Sequence, residues 1–350
     1  MNLTAVADAF IGAKDYRTAC AQFPAFSLLG VPFFGVDDRT QMREIVRRIE
    51  TGGPTACEPP AALWDLLAET EVLMVHLCPV SAALLERAPK LKLILTNRGG
   101  TENIDVEAAT ARGIPVLSNP AHNANAVAEY TVGLILAEMR NIGRAHAALK
   151  TGLWRERFPN SGTIYELRGQ TVGLIGFGTI ARLVARKLAG FDCTLLVSDP
   201  FIQADDPDLA AYDCRKVELH ELLAESDVVS LHARSSGQPL IGEAELAQMK
   251  PSAYLINTAR AHLLDSEALC RALTEGRLRG AALDVFEAEP VPADHPLLAL
   301  DNVTLTNHRG GDTVNSYADS PAMLLTEAEK LLSGDTDHVR FWINKQNTCK

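Results

Sequence analysis

The chain has 350 residues, of which 47% are hydrophobic, and its formal net charge is −11. This length suffices for two domains with sizeable cores. No apolar run is long enough to span a membrane, and no basic cluster favours nucleic acid as a partner. The chain start lacks a basic segment followed by an apolar one, and the seven cysteines form no C-x-x-C pair. These features predict a cytoplasmic protein with reduced thiols and no metal site.

The first third of the chain alternates short apolar runs with helical patterns. The predicted strands are 3–7, 26–34, 72–77, 91–96 and 114–117, and the predicted helices are 41–50 and 61–68. Strands that alternate with helices of about ten residues indicate βαβ units and a parallel sheet.

A break in the pattern comes at 118–123. Either Asn123 or Asn125 could cap the long helix that follows, predicted over 126–140. The stretch 151–169 is irregular and contains Trp154. A loop of this length inside a compact domain usually has a function, such as a subunit contact or an active-site wall.

The alternation of strands and helices then resumes. A β-branched run at 171–175 leads through glycines into a predicted helix over 181–188. Further predicted elements are strands 193–198, 227–232, 252–257, 280–285 and 303–306, a helix ending at 222–226 and a helix over 266–275. The last predicted helix, 315–333, belongs by its position to neither of the two series of alternating strands and helices. We expect it to pack on the first domain.

The glycines between the strand at 171–175 and its helix form a G-x-G-x-x-A motif. Gly176 permits a tight turn, and Gly178 removes the side chain where the backbone must approach a pyrophosphate. Ala181 stands in the place of the third glycine and is small enough for helix–strand packing. The diphosphate would bind the free N–H groups at the helix N-terminus, which include those of Thr179 and Ile180.

Asp199 ends the next predicted strand and lies 21 residues beyond Gly178. A carboxylate at this spacing typically accepts hydrogen bonds from the adenosine ribose. Because its charge would repel a 2′-phosphate, Asp199 favours NAD over NADP. The alternative is a turn or helix-capping aspartate in some other α/β protein.

Three ionisable residues follow predicted strands in the second half, namely Arg260, Glu289 and His308. Ligands of open parallel sheets bind beyond the carboxyl ends of the strands. A histidine suits proton transfer near neutral pH, a carboxylate beside it favours its charged form, and a guanidinium can hold a carboxylate. Together they fit redox chemistry on a 2-hydroxy acid. From spacing alone, each is equally compatible with an ordinary loop or surface residue.

These motifs together resemble the D-isomer specific 2-hydroxyacid dehydrogenase family of phosphoglycerate, glyoxylate/hydroxypyruvate and D-lactate dehydrogenases. The matching stretches are VGLIGFGTIA (172–181), SLHA (230–233), INTARAHLLD (256–265), GAALDVFEAEP (280–290) and LTNHRGG (305–311). Upstream, 99–120 and 126–142 match the family's substrate loop and interdomain helix. The resemblance covers residues 70 to 330 and is much weaker before them.

The resemblance implies an α/β fold of two domains, each a parallel sheet flanked by helices. A flavodoxin-like substrate-binding domain would comprise 1–121, completed by 313–350, and a Rossmann NAD-binding domain would comprise 122–312. It also implies a homodimer with Trp154 near the interface, and an active-site cleft that closes during hydride transfer.

The same resemblance implies a role for each matching residue. His308 would exchange a proton with the reacting oxygen of a 2-hydroxy or 2-oxo acid, Glu289 would pair with His308 and tune it, and Arg260 would bind the substrate carboxylate. Asp284 would bind the nicotinamide carboxamide. The implied cofactor residues are Gly176, Gly178, Thr179, Ile180, Asp199, His232, Ala233, Thr258, Ala259, Arg260, Asp284, His308 and Gly310. The implied substrate residues are Arg98, Gly99, Gly100, Thr101, Arg260 and His308.

Three positions depart from the family pattern. Ala261 replaces the glycine after the arginine, and Asn307 replaces the proline before the histidine, which could change how rigidly His308 is presented. Arg98 stands where an apolar residue is common. It could bind a second carboxylate, a phosphate or several hydroxyls, or it could form a salt bridge with Glu102 or Asp105.

Two other functions are compatible with parts of this pattern. Formate dehydrogenases share the architecture but pair the active-site histidine with glutamine, so Glu289 favours hydroxy-acid chemistry. A redox-sensing corepressor of the same fold would rely on partner-peptide surfaces that are not recognisable in this sequence, and the presence of Arg260, Glu289 and His308 together favours the enzyme. The sequence does not decide between three kinds of substrate, which are glyoxylate or hydroxypyruvate, a phosphorylated acid, and a sugar acid.

Overall fold

The computed structural model describes residues 1–234 and 237–348. The chain divides into two compact units, one made of Met1–Asn123 with Thr313–Lys350 and the other of Ala124–Asp312. Each unit contains one parallel sheet flanked by helices. Among the residues described, no helix has both the length and the hydropathy that crossing a bilayer requires.

The sheet of the first unit has five parallel strands in the order β2-β1-β3-β4-β5. The strands are β1 (Asn2–Ala5), β2 (Ser27–Gly30), β3 (Val72–Val75), β4 (Leu93–Thr96) and β5 (Val116–Ser118). All four residues of β3 and of β4 are buried, because helices cover both faces of the sheet. The order is that of a flavodoxin-like fold.

The sheet of the second unit has seven parallel strands in the order β12-β11-β10-β9-β6-β7-β8. They are β6 (Thr171–Ile175), β7 (Thr194–Ser198), β8 (Cys214–Lys216), β9 (Val228–Leu231), β10 (Tyr254–Asn257), β11 (Gly280–Leu283) and β12 (Val303–Leu305). The strand order changes direction at β6, where an open α/β sheet binds its ligand. The predicted α/β fold class is confirmed.

The α-helices connect the strands of both sheets. In chain order they are α1 (Ala13–Cys20), α2 (Arg39–Gly52), α3 (Ala61–Trp64), α4 (Ala82–Glu86), α5 (Val106–Ala111), α6 (Ala124–Met139), α7 (Ile142–Lys150), α8 (Thr179–Leu188), α9 (Pro207–Ala211), α10 (Leu219–Glu225), α11 (Glu243–Leu246), α12 (Ser266–Thr274), α13 (Val314–Ala318), α14 (Ser320–Leu332) and α15 (Lys345–Thr348). Short 3-10 helices include Leu67–Glu69, which replaces the end of the helix predicted over 61–68, and Ala261–Leu263.

The single helix predicted over 315–333 is wrong, because the structure contains two helices there, α13 and α14, that meet at Asp319. Pro321 lies in the first turn of α14, where its missing N–H costs no hydrogen bond. The expected packing of this segment is confirmed. Leu324, Leu325 and Ala328 of α14 pack in one core cluster with residues of β1 and α1.

Candidate active site

The turn between β6 and α8 is built around glycine. Gly176 follows β6 with a φ of +89°, a conformation that residues with a Cβ rarely adopt. A Cβ at this position would also lie 2.7 Å from the backbone nitrogen of Ala233, just after β9. Position 176 therefore requires glycine both for its backbone conformation and for the close approach of a second loop.

The N-terminus of α8 has open space in front of it. A Cβ built on Gly178 meets no described atom within 4 Å, and glycine offers no side chain to cap the helix. The N–H groups of Thr179 and Ile180 lie in the first turn, where the helix itself supplies no acceptor. Ala181 is buried, so the helix packs closely on the sheet. These residues fit a diphosphate, which binds free N–H groups at the positive end of a helix.

Asp199 directly follows β7, and its carboxylate is held in place by two backbone groups. Oδ2 accepts a hydrogen bond from the N–H of Phe177 at 2.7 Å, and Oδ1 accepts one from the N–H of Phe201 at 2.8 Å. Each carboxylate oxygen keeps a further lone pair for a hydroxyl donor. The arrangement fits the ribose hydroxyls of NAD.

Arg182 on α8 is the cation next to Asp199, and the carboxylates of Asp206 and Asp208 neutralise its charge. Its guanidinium donates to Asp206 at 2.7 and 2.6 Å and to Asp208 at 2.6 Å, and its Nε donates to the carbonyl of Phe177. The hydrogen bonds that Arg182 donates to Asp206 raise the pKa of Arg182, although partial burial opposes the shift. A 2′-phosphate would compete with two carboxylates for this cation, so the site favours NAD.

Two further predicted cofactor residues lie at the ends of β9 and β10. His232 directly follows β9, and burial lowers its pKa to about 4, so its imidazole is neutral. Its Nε2 is 3.0 Å from the hydroxyl of Ser230. Thr258 is 7% exposed, and its hydroxyl is 2.7 Å from that of Thr131 on α6. This contact fixes the end of β10 to α6.

The three predicted reactive residues follow three adjacent strands. Arg260 lies beyond β10, Glu289 beyond β11 and His308 beyond β12, and these strands are neighbours in the sheet. Because the strands are parallel, all three residues extend from one edge. His308 Nδ1 lies 2.8 Å from Oε2 of Glu289, and Oε1 of Glu289 accepts the N–H of Phe286. The structure therefore brings His308 and Glu289 together as a hydrogen-bonded pair.

The Arg260 guanidinium contacts neither of these residues in the described part of the chain. Its Nη1 donates to the carbonyl of Ala259 at 2.7 Å, while the side chain of Asn257 bonds the backbone of Arg260 and Ala259. Ala261 begins a 3-10 helix and does not have a positive φ, so alanine is accommodated where the family has glycine.

Asp284 holds the loop that presents His308. It is 2% exposed, and its carboxylate accepts from the Thr306 hydroxyl at 2.6 Å and from the N–H groups of Arg309 and Gly310 at 2.9 and 2.8 Å. The loop thus has an anchor on each side of His308, whose φ is +55°. The sequence predicts only cofactor binding for Asp284 and does not show this contact.

Arg98 in the first unit follows β4 and is paired with acidic side chains. Its Nη2 lies 2.8 Å from Oε1 of Glu50 and 3.4 Å from Oε2 of Glu102, while its Nη1 is buried without a described partner. Of the two expected salt-bridge partners, Glu102 is found. Asp105 instead caps α5 by accepting from the N–H of Ala108.

The adjacent glycines are tightly enclosed. A Cβ at Gly99 would lie 3.2 Å from Cα of Pro120, and one at Gly100 would lie 2.3 Å from Oε2 of Glu102. The carbonyl of Thr101 accepts from the N–H of Ile104 at 2.9 Å. The Glu102 carboxylate therefore packs against the glycine loop and pairs with Arg98.

A buried aspartate–histidine pair in the first unit was not predicted. Asp8 lies beyond β1 and His76 directly after β3, and Oδ2 of Asp8 is 2.9 Å from Nδ1 of His76. Their position after adjacent strands is a signal that the sequence contained. Since 68 residues separate them, the pattern alone did not show that they meet.

The described cysteines are free thiols. Cys78 is buried, and burial raises the pKa of its thiol, which keeps it protonated. Six cysteines are free, and Cys349 lies outside the described residues. Within residues 1–234 and 237–348, no three His, Cys, Asp or Glu side chains cluster as metal ligands would.

A parallel sheet with a dinucleotide-binding turn and a histidine–carboxylate pair at the same edge defines a nicotinamide-dependent oxidoreductase. Comparison with known proteins specifies the family. The family model described as D-isomer specific 2-hydroxyacid dehydrogenase, NAD binding domain, matches residues 132–310.

The chain is 42% identical over 240 residues to a glyoxylate reductase of Thermofilum pendens, covering 68% of this chain and 70% of that protein. It is 38% identical over 277 residues to a D-3-phosphoglycerate dehydrogenase of Methanocaldococcus jannaschii, covering 78% of this chain and 52% of the relative. The NAD complex of a D-isomer specific 2-hydroxyacid dehydrogenase from Lactobacillus delbrueckii ssp. bulgaricus has the same fold, with a TM-score of 0.74, 22% identity and coverage of 95% and 98% of the two chains.

The chain belongs to the D-isomer specific 2-hydroxyacid dehydrogenase family and is an NAD-dependent oxidoreductase.

Proposed function

We propose that the protein interconverts a D-2-hydroxy acid and its 2-oxo acid, with His308 as the general acid and base. The observation that carries this proposal is the 2.8 Å contact between His308 Nδ1 and Glu289 at the edge of the NAD-binding sheet. Bound NADH supplies the hydride for the carbonyl carbon.

The contact with Glu289 determines which ring nitrogen of His308 is free to exchange a proton with the substrate. Since Oε2 of Glu289 occupies Nδ1, the proton for the reaction is held at Nε2. In reduction, Nε2 donates this proton to the carbonyl oxygen as the carbonyl carbon gains the hydride, and the product is the 2-hydroxy acid. In oxidation, Nε2 accepts the hydroxyl proton. The Glu289 carboxylate stabilises the imidazolium before reduction and after oxidation.

Arg260 is the group that we propose binds the substrate carboxylate. A guanidinium can hold a carboxylate through two parallel hydrogen bonds, which orients the acid for the reaction. Among the residues that the structure describes, one of its nitrogens is engaged, by the carbonyl of Ala259. The N–H groups of Gly99, Gly100 and Thr101 remain a further predicted contact for the same carboxylate.

The substrate class is narrowed by the surroundings of Arg98. Glu50 and Glu102 both pair with this guanidinium, so two carboxylates face one cation. A phosphate or second carboxylate would be repelled by the excess negative charge. We therefore favour a substrate with no second charged group, such as glyoxylate, hydroxypyruvate or a sugar acid, over a phosphorylated one.

The direct test is NADH oxidation across 2-oxo acids of different length and charge, with NADPH run in parallel. We expect NADH-dependent reduction of at least one of glyoxylate, hydroxypyruvate or a hydroxylated longer acid. His308→Ala should lower kcat at least about 100-fold, because general acid catalysis is lost, while NADH still binds. Turnover by the His308→Ala variant at the wild-type rate would contradict the assignment.

The alternative activities predict different results. A formate dehydrogenase would reduce NAD with formate, and Glu289 makes that reaction the less favoured one. A corepressor-like sensor would bind NADH without reducing any 2-oxo acid. Reduction of a 2-oxo acid, reduction of NAD by formate, and NADH binding without reduction therefore distinguish the three functions.

We also propose that the protein forms a homodimer through α7 and the segment after it. No residue of α7 is buried, and Ile142, Leu149, Leu153 and Trp154 are 57%, 59%, 57% and 78% exposed. Large exposed apolar side chains concentrated on one helix and the segment after it are typical of a protein-binding surface. Trp154, which the family resemblance placed at the interface, is among the most exposed.

A further inference from the structure

We propose that His295 is a positioning residue that holds the Glu289 carboxylate against His308 through the ring of Phe286. All four residues belong to the second unit. Among the residues that the structure describes, no hydrogen bond or ring contact joins His295 directly to Glu289 or His308. The inference rests on the proposed function, since Glu289 and His308 are the pair proposed to exchange the proton.

The Glu289 carboxylate depends on the backbone of Phe286. Glu289 lies on the loop between β11 and β12, and its side chain is 37% exposed. Oε2 lies 2.8 Å from Nδ1 of His308, and Oε1 accepts a hydrogen bond from the N–H of Phe286 at 3.0 Å. In the described part of the chain, no other hydrogen bond or ion pair reaches this carboxylate. A shift of Phe286 would therefore turn the carboxylate away from His308.

Phe286 is incompletely packed on one side. Its half-buried ring packs against the core of the second unit. Phe286, His295 and Asn257 also line a cavity of about 20 Å³, which has room for about one water molecule. A ring that faces a void lacks packing contacts on that side, so its position depends more on the neighbours that do touch it.

His295 is one of these neighbours. The ring centroids of Phe286 and His295 are 6.3 Å apart, and the ring planes meet at 79°. This is the edge-to-face arrangement that aromatic rings favour. The His295 ring therefore supports Phe286 beside the cavity.

His295 is itself held by the chain around it. Its Nδ1 accepts a hydrogen bond from the N–H of Leu297 at 3.3 Å and so caps the 3-10 helix Pro296–Ala299. Its own N–H donates to the carbonyl of Pro292 at 3.0 Å, and its carbonyl accepts from the N–H of Leu298 at 3.0 Å. Leu297 is 1% exposed and belongs to the core cluster. The cap thus fixes the His295 ring relative to the core.

A role as a helix cap alone would explain the Nδ1 contact but gives the ring no function. Asparagine is a good capping residue and has no aromatic ring. His295→Asn therefore keeps an acceptor for the N–H of Leu297 and removes the support of Phe286. This substitution separates the two roles.

The first test is steady-state kinetics with NADH and the best 2-oxo acid substrate. We expect His295→Asn to lower kcat at least about threefold, with KM and the dissociation constant of NADH unchanged. Phe286→Leu removes the other ring of the contact and should have the same effect. The matched control is His220→Asn, which changes an exposed histidine on α10 and should leave kcat unchanged. Thermal unfolding of each variant checks that it folds.

A double-mutant cycle tests whether His295 acts through Glu289. Adding His295→Asn to Glu289→Gln should lower kcat no further, because the carboxylate that His295 positions is already gone. If His295→Asn lowered kcat by the same factor in both backgrounds, His295 would act independently of Glu289 and the inference would fail.

A measurement without turnover separates this inference from the proposed function. NMR of the NAD-free protein follows the pH at which the His308 ring takes up a proton. This pH should fall in His295→Asn and in Phe286→Leu, because a displaced carboxylate stabilises the imidazolium less, and it should not change in His220→Asn.

The outcomes distinguish the two proposals. If the titration of His308 shifts in this way but no 2-oxo acid is reduced, the proposed function fails and the positioning role of His295 stands. If a 2-oxo acid is reduced and His295→Asn matches the wild type in kcat and in the titration of His308, the inference is overturned while the proposed function stands. A lower kcat with an unchanged titration of His308 would also overturn the inference.

Discussion

At the scale of single residues, the Glu289 carboxylate determines how His308 is oriented and charged. Glu289 and His308 are 37% and 54% exposed, and the 2.8 Å contact joins their side chains. Glu289→Gln keeps a similar shape but removes the negative charge that stabilises the imidazolium. We expect kcat to fall at least about tenfold, with the dissociation constant of NADH unchanged.

The matched control for this variant lies two residues away. Glu287 is exposed on the same loop, and Glu287→Gln should leave kcat unchanged. Stopped-flow measurement of NADH oxidation and fluorescence titration of NADH give both quantities. Equal kcat values for the wild type and Glu289→Gln would show that the carboxylate has no part in proton transfer.

Asp284 is the second residue with a testable role, as the anchor of the His308 loop. Its three hydrogen bonds to Thr306, Arg309 and Gly310 hold a loop in which Asn307 replaces the usual proline. Asp284→Asn should lower kcat and destabilise the fold by about 1–3 kcal/mol, because a buried acceptor of backbone N–H groups is lost. Urea unfolding and steady-state kinetics measure the two effects.

Adding Asn307→Pro to the Asp284→Asn variant tests the reason for the loss. Proline restricts the backbone, so the double variant should regain part of the lost kcat. No recovery of kcat, together with weaker NADH binding, would mean that Asp284 acts on the cofactor and not on the loop.

At the scale of elements, the β6–α8 turn contains two glycines with different requirements. Gly176→Ala places a Cβ at positive φ and 2.7 Å from backbone, so it should destabilise the fold by about 1–3 kcal/mol. Gly178→Ala has open space and should leave stability unchanged, but should weaken NADH binding at least about tenfold by keeping the diphosphate from the backbone.

The Gly176→Ala and Gly178→Ala variants serve as controls for each other. Thermal unfolding without cofactor measures the change in stability, and NADH titration measures the change in affinity for NADH. If Gly178→Ala bound NADH as tightly as the wild type, the diphosphate would not bind at this turn.

Strands whose residues are all buried were predicted, whereas short helices such as α1 and α4 were missed although each has buried residues. The strands β3, β4, β6 and β9 were found from apolar runs that are buried in the structure. Helix α7 was missed because none of its residues is buried, so its pattern had no apolar face turned to a core. The short edge strand β8 was missed for the same reason, since none of its three residues is buried.

Contacts within the site were also only partly predictable from the sequence. The family resemblance implied that Glu289 pairs with His308, and in the structure His308 Nδ1 lies 2.8 Å from Oε2 of Glu289. The pairing of Asp8 with His76 depends on the order of β1 and β3 in the sheet, and that order cannot be obtained from the spacing of residues along the chain.

At the scale of the whole molecule, the exposed apolar surface of α7 predicts association. Trp154→Glu puts a charge into this surface and should convert a dimer to a monomer, because burying an unpaired charge is costly. Leu298→Glu changes another exposed apolar residue, 51% exposed, and should leave the dimer intact. Light scattering after gel filtration should give twice the mass of the chain for the wild type and for Leu298→Glu. A monomeric wild type would contradict the prediction.

Hydride transfer to a 2-oxo acid, with His308 supplying the proton, can be followed by chiral chromatography of the product formed from NADH and hydroxypyruvate or 4-hydroxy-2-oxobutanoate. We expect that only the D-2-hydroxy acid forms, at a rate equal to NADH oxidation, and that His308→Ala forms almost none. Formation of the L-acid, or product from His308→Ala at the wild-type rate, would contradict it.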